Sequence, residues 1–318
     1  MMNIAIFAGG NSSEREISLK TANQIYENID NTKYKAYIVD VKGIEWHVIE
    51  NEEKYSVDKN ELSFNKLNQK IKFNYAWIAI HGAPGENGEL QGYLDMMQIP
   101  YSSCNLLISA LSFDKHICKL YLNNFNIPMA KSIMISKGDE INFSEIIANI
   151  GLPLFVKPNT SGSSFGVSKV KSAEELPTAI ENAYKEDNNV IIEAFVNGTE
   201  VGCGVFKSKT KSYILPVTEI VSPNEFFDYD AKYFSKDTQE ITPARISAEQ
   251  TELVQKYTSI VYDALYCTGV ARADFIIQDG IPFFIEINSV PGMSKESIVP
   301  KQLENMGIKM QDFISEII

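Results

Sequence analysis

Two short runs in the last third of the sequence carry its densest chemistry: Arg272-Ala273-Asp274 and Glu286-Ile287-Asn288. Each sits at or near the end of an apolar stretch that reads as a strand. Strand side chains alternate between faces, so Glu286 and Asn288 project together while Ile287 points away. If the two strands pair, Asp274 joins them. Two carboxylates and an amide oxygen then form a site for a hard divalent cation, with water and phosphate completing its shell. Taken alone, Arg272 and Asp274 read equally well as an ion pair on a sheet surface.

A second candidate is the run from Val156-Lys157-Pro158 through Asn159-Thr160-Ser161-Gly162-Ser163-Ser164-Phe165-Gly166. A lysine at a strand end precedes a loop of small residues rich in backbone N–H groups and hydroxyls, which can close over phosphates. It is not a Walker A loop, because no Gly-Lys-Ser/Thr follows four free positions after a glycine. On its own it also reads as a flexible hairpin. The Gly9-Gly10 turn and the residues up to Glu16 resemble a Rossmann loop without the full glycine spacing. Glu14 there is either a carboxylate favoured by a helix N-terminus or a counter-ion for a substrate ammonium. His81 to Glu89 follows a buried strand, where sites of α/β proteins lie, although a lone histidine is more often structural. Phe226 to Tyr233 is a charged, aromatic loop, either packed or a lid. Pro291-Gly292-Met293-Ser294 can offer backbone N–H groups to an anion.

The elements that must position these residues follow from periodicity. Ile4–Ala8, Tyr37–Val41 and Tyr75–Ile80 read as buried strands, and Ser12 or Ser13 as the cap of a helix from about Glu14 to Ile29. Residues 42–74 are polar and without clear period. This strand–helix alternation predicts a small parallel α/β domain ending near residue 103. A helix follows with Leu107, Leu111, Ile117 and Leu120 on it. Strands are then expected at Leu154–Lys157, Gly166–Val170, Val190–Glu193, Glu200–Phe206, Ser212–Ile220, Ala271–Ile277 and Pro282–Glu286. Ser172 with Glu175, and Ser247 with Gln250, read as capping boxes.

Bulk properties restrict the class. The chain has 318 residues, enough for two or three domains, with 44% hydrophobic and 22% charged residues as in soluble globular enzymes. A formal charge of −12 argues against a nucleic-acid or anionic-membrane partner. The four cysteines form no CxxC pair and no zinc spacing, so they read as reduced and mostly buried. The first apolar run is too short for a signal peptide, and no stretch approaches a membrane span. The expectation is a cytoplasmic protein.

In their order along the chain, SSEREIS (12–18), HGAPGENGELQG (81–92), FVKP with GSSFGVSKV (155–170), FFDYDAKY (226–233), ARADF (271–275) and EINSVPGM (286–293) resemble the D-alanine–D-alanine ligase family. The resemblance runs from Gly9 to the C-terminal helix. It implies a mixed α/β, ATP-grasp fold in three domains. These are a Rossmann-like parallel α/β domain over 1–103 with the first D-alanine site, a small central α+β domain over 104–193 with the phosphate loop, and an α+β domain over 194–318 with the metal site, lid and second D-alanine site.

By position, the resemblance implies that Lys115 and Lys157 contact ATP phosphates, together with Ser163 and Ser164 of the loop. Glu193, Ala194, Phe195 and Val196 form the adenine hinge, with Glu200 on the ribose and Lys232 on the terminal phosphate. Asp274, Glu286 and Asn288 hold two Mg²⁺ ions, for which Mn²⁺ can substitute. Glu14 and His81 bind the first D-alanine, and Ser163 and Tyr233 link Glu14 to the lid. Arg272, the Gly292 N–H and Ser297 bind the second D-alanine and the developing oxyanion. The chain departs from the family at Asn159–Ser161, where many relatives carry an Arg-Glu pair. The resemblance further implies a homodimer serving peptidoglycan precursor synthesis. The alternatives are a D-alanine–D-serine ligase, another ATP-grasp carboxylate–amine ligase, or a non-catalytic sensor on the same scaffold. The presence of every metal and phosphate group counts against the last.

Overall fold

An apolar run without polar interruption can be buried on both faces of a sheet, and β1 (Met2–Gly9) is fully buried from Ile4 to Ala8. It runs parallel between β2 (Tyr34–Lys42) and β7 (Tyr75–Ile78). The computed structural model describes all residues except 13, 52, 161, 163–164, 209–210 and 223–238. The expected parallel core is therefore present, but residues 45–72, which carry no clear period, extend it. There β3 (Glu45–Glu50), β4 (Glu53–Asp58), β5 (Ser63–Lys66) and β6 (Gln69–Lys72) form an antiparallel meander, giving the order β6-β5-β4-β3-β2-β1-β7. Helix α1 (Arg15–Asn28) packs Ala22 and Ile25 on this sheet. Its N-cap is Glu14, with no side-chain cap. Ser12, expected as the cap, instead donates its hydroxyl to the His81 carbonyl at 2.9 Å, and Ser13 lies outside the described residues.

The second sheet, β10-β9-β11-β8, is built from β8 (Ser132–Ser136), β9 (Leu154–Pro158), β10 (Ser168–Val170) and β11 (Asn189–Ala194). It has a core of its own with α5 (Phe143–Ile150) and α6 (Leu176–Ala183). The Ser172 capping box does not form. Ser172 makes no cap bond, α6 begins only at Leu176 with a proline in its first turn, and Glu175 accepts the Lys171 N–H at 2.7 Å.

The third sheet has the order β15-β14-β12-β16-β17. It contains β12 (Thr199–Lys207), β14 (Thr218–Val221), β15 (Gln239–Ile241), β16 (Val270–Gln278) and β17 (Ile281–Asn288), and β13 (Ser212–Ile214) pairs with β12. The single strand expected over Ser212–Ile220 is thus two. Helix α7 (Ala248–Ala264) starts at the expected Ser247–Gln250 capping box. Between α2 (Glu89–Met96) and β8 the expected single helix is also two, α3 (Leu106–Phe113) and α4 (Lys115–Leu122), broken at Asp114, which caps the second by accepting the Ile117 N–H. Leu107, Ile117 and Leu120 are more than half exposed. Cys104, Ile108, Cys118 and Leu122 instead pack against Val201, Phe275 and Phe284 of the third sheet. By packing, the body built on the second sheet is therefore smaller than 104–193.

Helices α8 (Ile298–Asn305) and α9 (Met310–Ile317) return to the first sheet and cover Trp77 with Phe313 and Ile314. Gln302 of α8, fully buried, ties this layer to β12. Its amide oxygen accepts the Gly204 N–H at 3.0 Å, and its nitrogen donates to the Gly202 carbonyl at 2.9 Å and to the Thr218 hydroxyl at 3.0 Å. Replacing it with leucine takes the Gln302 partner from the buried Gly204 N–H and Gly202 carbonyl, while the Thr218 hydroxyl keeps its 2.6 Å bond to Thr242. Gln302→Leu is expected to lower the unfolding free energy by about 2–3 kcal/mol, read as a reduced urea midpoint at unchanged slope. An unshifted midpoint would show that these bonds hold nothing.

Candidate active site

The three sheets meet around one cleft of about 320 Å³. Glu14, His81 and Glu86 enter it from the first sheet's loops, Lys157, Glu193 and Ala194 from the second sheet, and Lys115 from the start of α4. Val196, Glu200, Arg272, Asp274, Glu286, Asn288, Gly292 and Ser297 complete it. Of the described residues expected to act, only Phe195 is not part of the lining; its ring packs on Phe155, with the Lys169 ammonium 3.9 Å from its centroid. Ser163, Ser164, Lys232 and Tyr233 lie outside the described residues.

Pairing of β16 with β17 sets the acidic cluster. The register puts Arg272 opposite Asn288 and Asp274 opposite Glu286, so all four side chains share one face. The pairing shifts after Asp274, and Ile285 is left without a partner, a bulge that re-aims the strand end. Arg272 holds Asp274 in a two-pronged ion pair, both contacts 2.7 Å, while the Asn288 amide nitrogen donates to the same carboxylate at 2.9 Å. The ion pair and the acidic cluster, separate alternatives in sequence, are here one assembly. Burial works against the Arg272 charge, but Asp274, Glu286 and Glu240 hold its pKa above the ordinary value. The neighbouring strand must leave room. Gly202 of β12 faces Asp274, and a Cβ there would lie 3.0 Å from the Asp274 Oδ1 and 3.4 Å from the Arg272 Cδ.

The cationic side comes from α4 and β9. Lys115 lies 4.0 Å from Glu286, while Lys157 contacts the buried carboxylate of Glu193, which Lys119 contacts as well. The loop after Lys157 is anchored at its start. Asn159 accepts the His116 N–H through its side chain at 2.9 Å and the Lys115 N–H through its carbonyl at 3.3 Å, tying the loop to the first turn of α4. Thr160 gives both its N–H and its hydroxyl to Asp187, at 2.7 and 2.6 Å. The stretch that departs from the family pattern is thus a docking point for α4. Further on, Gly162 passes so near Glu14 that a Cβ there would lie 3.1 Å from its Oε2.

At the other end, His81 is buried. Its Nδ1 faces the Val290 carbonyl at 3.1 Å, so that nitrogen carries the proton, and its Nε2 faces the Thr21 hydroxyl at 3.4 Å. Burial lowers its pKa and favours the neutral ring. Thr21 also accepts the Met293 N–H at 3.3 Å, so His81 and Thr21 together hold the 290–293 turn. Within that turn a Cβ on Gly292 would lie 2.8 Å from the Ser297 Oγ, and the Ser297 hydroxyl pairs with that of Ser294 at 2.8 Å. Glu86 accepts the Gly82 N–H at 2.8 Å, and burial, then the Glu14 charge, push its pKa up to about 8.

Residues 3–104 match the family described as D-ala D-ala ligase N-terminus, and residues 121–318 match D-ala D-ala ligase C-terminus. The chain belongs to the D-alanine–D-alanine ligase family. It is 50% identical over 318 residues to the D-alanine–D-alanine ligase of Parabacteroides distasonis, covering 99% of this chain and 96% of that one. It is 48% identical over 317 residues to that of Phocaeicola vulgatus, covering 99% and 98%. Among solved structures it resembles the VanG D-Ala:D-Ser ligase of Enterococcus faecalis, with a TM-score of 0.90, 32% identity and 99% and 98% coverage. It also resembles the D-alanine–D-alanine ligase of Bacillus anthracis complexed with ATP, with a TM-score of 0.80, 31% identity and 100% and 96% coverage. The fold is that of the ATP-grasp ligases. No helix among the described residues is long and apolar enough to cross a membrane.

For this family member, sequence reasoning passed over two residues that the fold brings to the site. Lys119 is one helical turn beyond Lys115, the spacing that puts two side chains on one face, and that spacing was its only signal. Glu86 sits inside the 81–92 block, and nothing in its neighbours announces its burial. A carboxyl whose folded pKa stands above its unfolded one contributes stability that is complete at low pH and lost as pH rises through the folded value. In EDTA-containing buffer, Glu86→Gln is therefore expected to gain in Tm over the parent as pH rises from the ordinary 4.5 toward about 8. Parallel pH profiles of Tm for the two proteins would contradict a half-buried, protonated Glu86.

Proposed function

We propose that this chain is an ADP-forming ligase that joins two D-alanine molecules through a D-alanyl phosphate. The observation that carries this reading is the lining of one cleft, which brings together the Glu14 carboxylate, the Lys115 and Lys157 ammoniums, the Asp274 and Glu286 carboxylates, and Arg272 with Gly292. Glu14 binds the ammonium of the first D-alanine, with His81 shaping that end through the 290–293 turn. A carboxylate oxygen of that D-alanine attacks the γ-phosphorus of ATP, and ADP departs. Lys115 and Lys157 lie against the phosphates, and Lys232 reaches the terminal one. Positioning and charge compensation dominate such a transfer. Glu193 to Val196 hold the adenine and Glu200 the ribose. The amine of the second D-alanine, as the free base, then attacks the acyl carbon. Arg272 and the Gly292 N–H stabilise the oxyanion, and phosphate leaves as the nitrogen loses its proton. Ser297 binds the second D-alanine. Ser163, Ser164 and Tyr233 lie outside the described residues, and their expected roles in the phosphate loop and beside Glu14 rest on the family resemblance alone.

The donor set fits magnesium: the Asp274 carboxylate in β16 and the Glu286 carboxylate and Asn288 amide near the end of its partner β17, in a cleft that lysines also line. Asp274, Glu286 and Asn288 would hold two such ions, with the Asn288 amide turned to present its oxygen. Bound there, the ions neutralise charge on the phosphates. The reading extends to a cytoplasmic homodimer supplying a peptidoglycan precursor.

The likeness to a D-Ala:D-Ser ligase gives a second reading, in which D-serine is the second substrate. ADP release measured with D-alanine alone, and with D-alanine plus D-serine or D-lactate, separates the two. D-alanine alone is expected to suffice, with D-alanyl-D-alanine recovered. Turnover that requires D-serine would establish the second reading, and no ADP release with any pair would remove both. Glu14→Gln is expected to raise the KM for the first D-alanine at least about tenfold while the Kd for ATP stays within twofold, as loss of one charge-assisted contact implies. Equal weakening of both would displace Glu14 from its role.

A further inference from the structure

Glu193 is buried at the back of the cleft and is in direct contact with two lysines, Lys119 from α4 and Lys157 from β9. One carboxylate balances one ammonium, so the cluster carries a surplus positive charge in a place where charge is costly. The two lysines are not equivalent. Lys157 lines the cleft, whereas Lys119 does not and is among the few buried cations of the described residues. Burial, then the Lys157 ammonium, push the Lys119 pKa well below the ordinary lysine value, and direct contact with the Glu193 carboxylate is the interaction that favours its charged form. The α4 helix is fixed in turn by Asn159, two residues beyond Lys157, so the helix that carries Lys119 and the loop that follows Lys157 move as one piece.

We propose that Lys119 is a positioning residue: it is the standing counter-charge of Glu193, and it frees Lys157 to move its ammonium to a nucleotide phosphate. Without Lys119, Lys157 has two poor choices. It stays on Glu193 and leaves the phosphate, or it leaves a buried carboxylate bare. The nucleotide's polyphosphate is then recognised less well, while the adenine and ribose contacts, made by other atoms, change little. Lys119 acts through Lys157 and touches no substrate atom itself.

This inference rests on the nucleotide reading of the cleft, and one set of binding measurements tests the two separately. Kd values for ATP and for adenosine are measured by calorimetry on the parent, on Lys119→Met and on Lys119→Met/Glu193→Gln, with the KM for D-alanine alongside. A parent that binds neither nucleotide would sink the nucleotide reading. If the parent prefers ATP, Lys119→Met is expected to lose at least about tenfold of that preference, the scale set by an uncompensated buried charge. The KM for D-alanine is expected to stay within twofold. The double variant removes both charges together, and it is expected to recover the preference for ATP because Lys157 no longer has a carboxylate to hold. A merely structural Lys119 would lower Tm in the single variant without changing the ATP-to-adenosine ratio, and that result overturns the proposal. A double variant that folds but does not recover the ratio overturns it as well, and this holds even if the single variant fails to fold.

Discussion

Fixed charges in a water-poor cleft must be compensated locally, and this constraint organises the molecule. Several charges that line the cleft are met by one of opposite sign, from their own element or from another. Glu193 of β11 meets lysines from α4 and β9. Asp274 is clasped by Arg272 on its own strand and by Asn288 across the ladder. Glu286 lies within ion-pair reach of Lys115. Removing one partner of such a pair leaves a buried charge that costs several kcal/mol, about 3–5 in typical cases. The positions of α4, β9, β11, β16 and β17 are therefore tied to one another through the site as well as through apolar packing. The same pairs keep cations and carboxylates apart from water until a charged ligand replaces one member.

The parts of this design that show in the sequence are those where local pattern and global fold agree. The alternation Glu286-Ile287-Asn288, the apolar run of β1 and the Ser247–Gln250 box each fix an element without outside help. The misread parts share a different property: their structure is decided by distant residues. Strand β4 carries one buried residue, Val57, and β6 one, Ile71, too few to show a period of two. They are strands because β3 and β5 offer them unpaired edges. Leu107, Ile117 and Leu120 mimic the stripe of a buried helix, but Asp114 breaks the helix and turns these residues outward. Ser172 and Glu175 have the spacing of a capping box, yet Glu175 is taken by the Lys171 N–H.

The site was legible in the same uneven way. The ordered motif blocks name Glu14, His81, Lys157, Arg272, Asp274, Glu286, Asn288 and Gly292 of the lining, while Lys115, Glu193, Glu200 and Ser297 lie outside them. What they do not convey is partnership. That Arg272, Asp274, Glu286 and Asn288 form one assembly depends on the β16–β17 register. That Asn159 docks α4 depends on a loop meeting a helix 43 positions away. Lys119 is buried and Glu86 half-buried beside the Glu14 charge, properties of the assembled fold that neither residue's neighbours encode.

The route of the last two helices has a bearing on how the molecule is made. The core under β1 and β7 contains Val299, Leu303, Phe313 and Ile314 beside Ile4, Ile6 and Trp77, and the Tyr75 hydroxyl donates to the Ile317 carbonyl at 3.1 Å. A nascent chain therefore carries its first sheet out of the ribosome with one face unclosed, and it must keep that face from other chains until the final residues emerge. The second sheet, whose core draws only on residues 133–194, has no such debt and can settle early. The cleft takes its lining from all three sheets and from Ser297 before α8, so it exists only once these parts have come together.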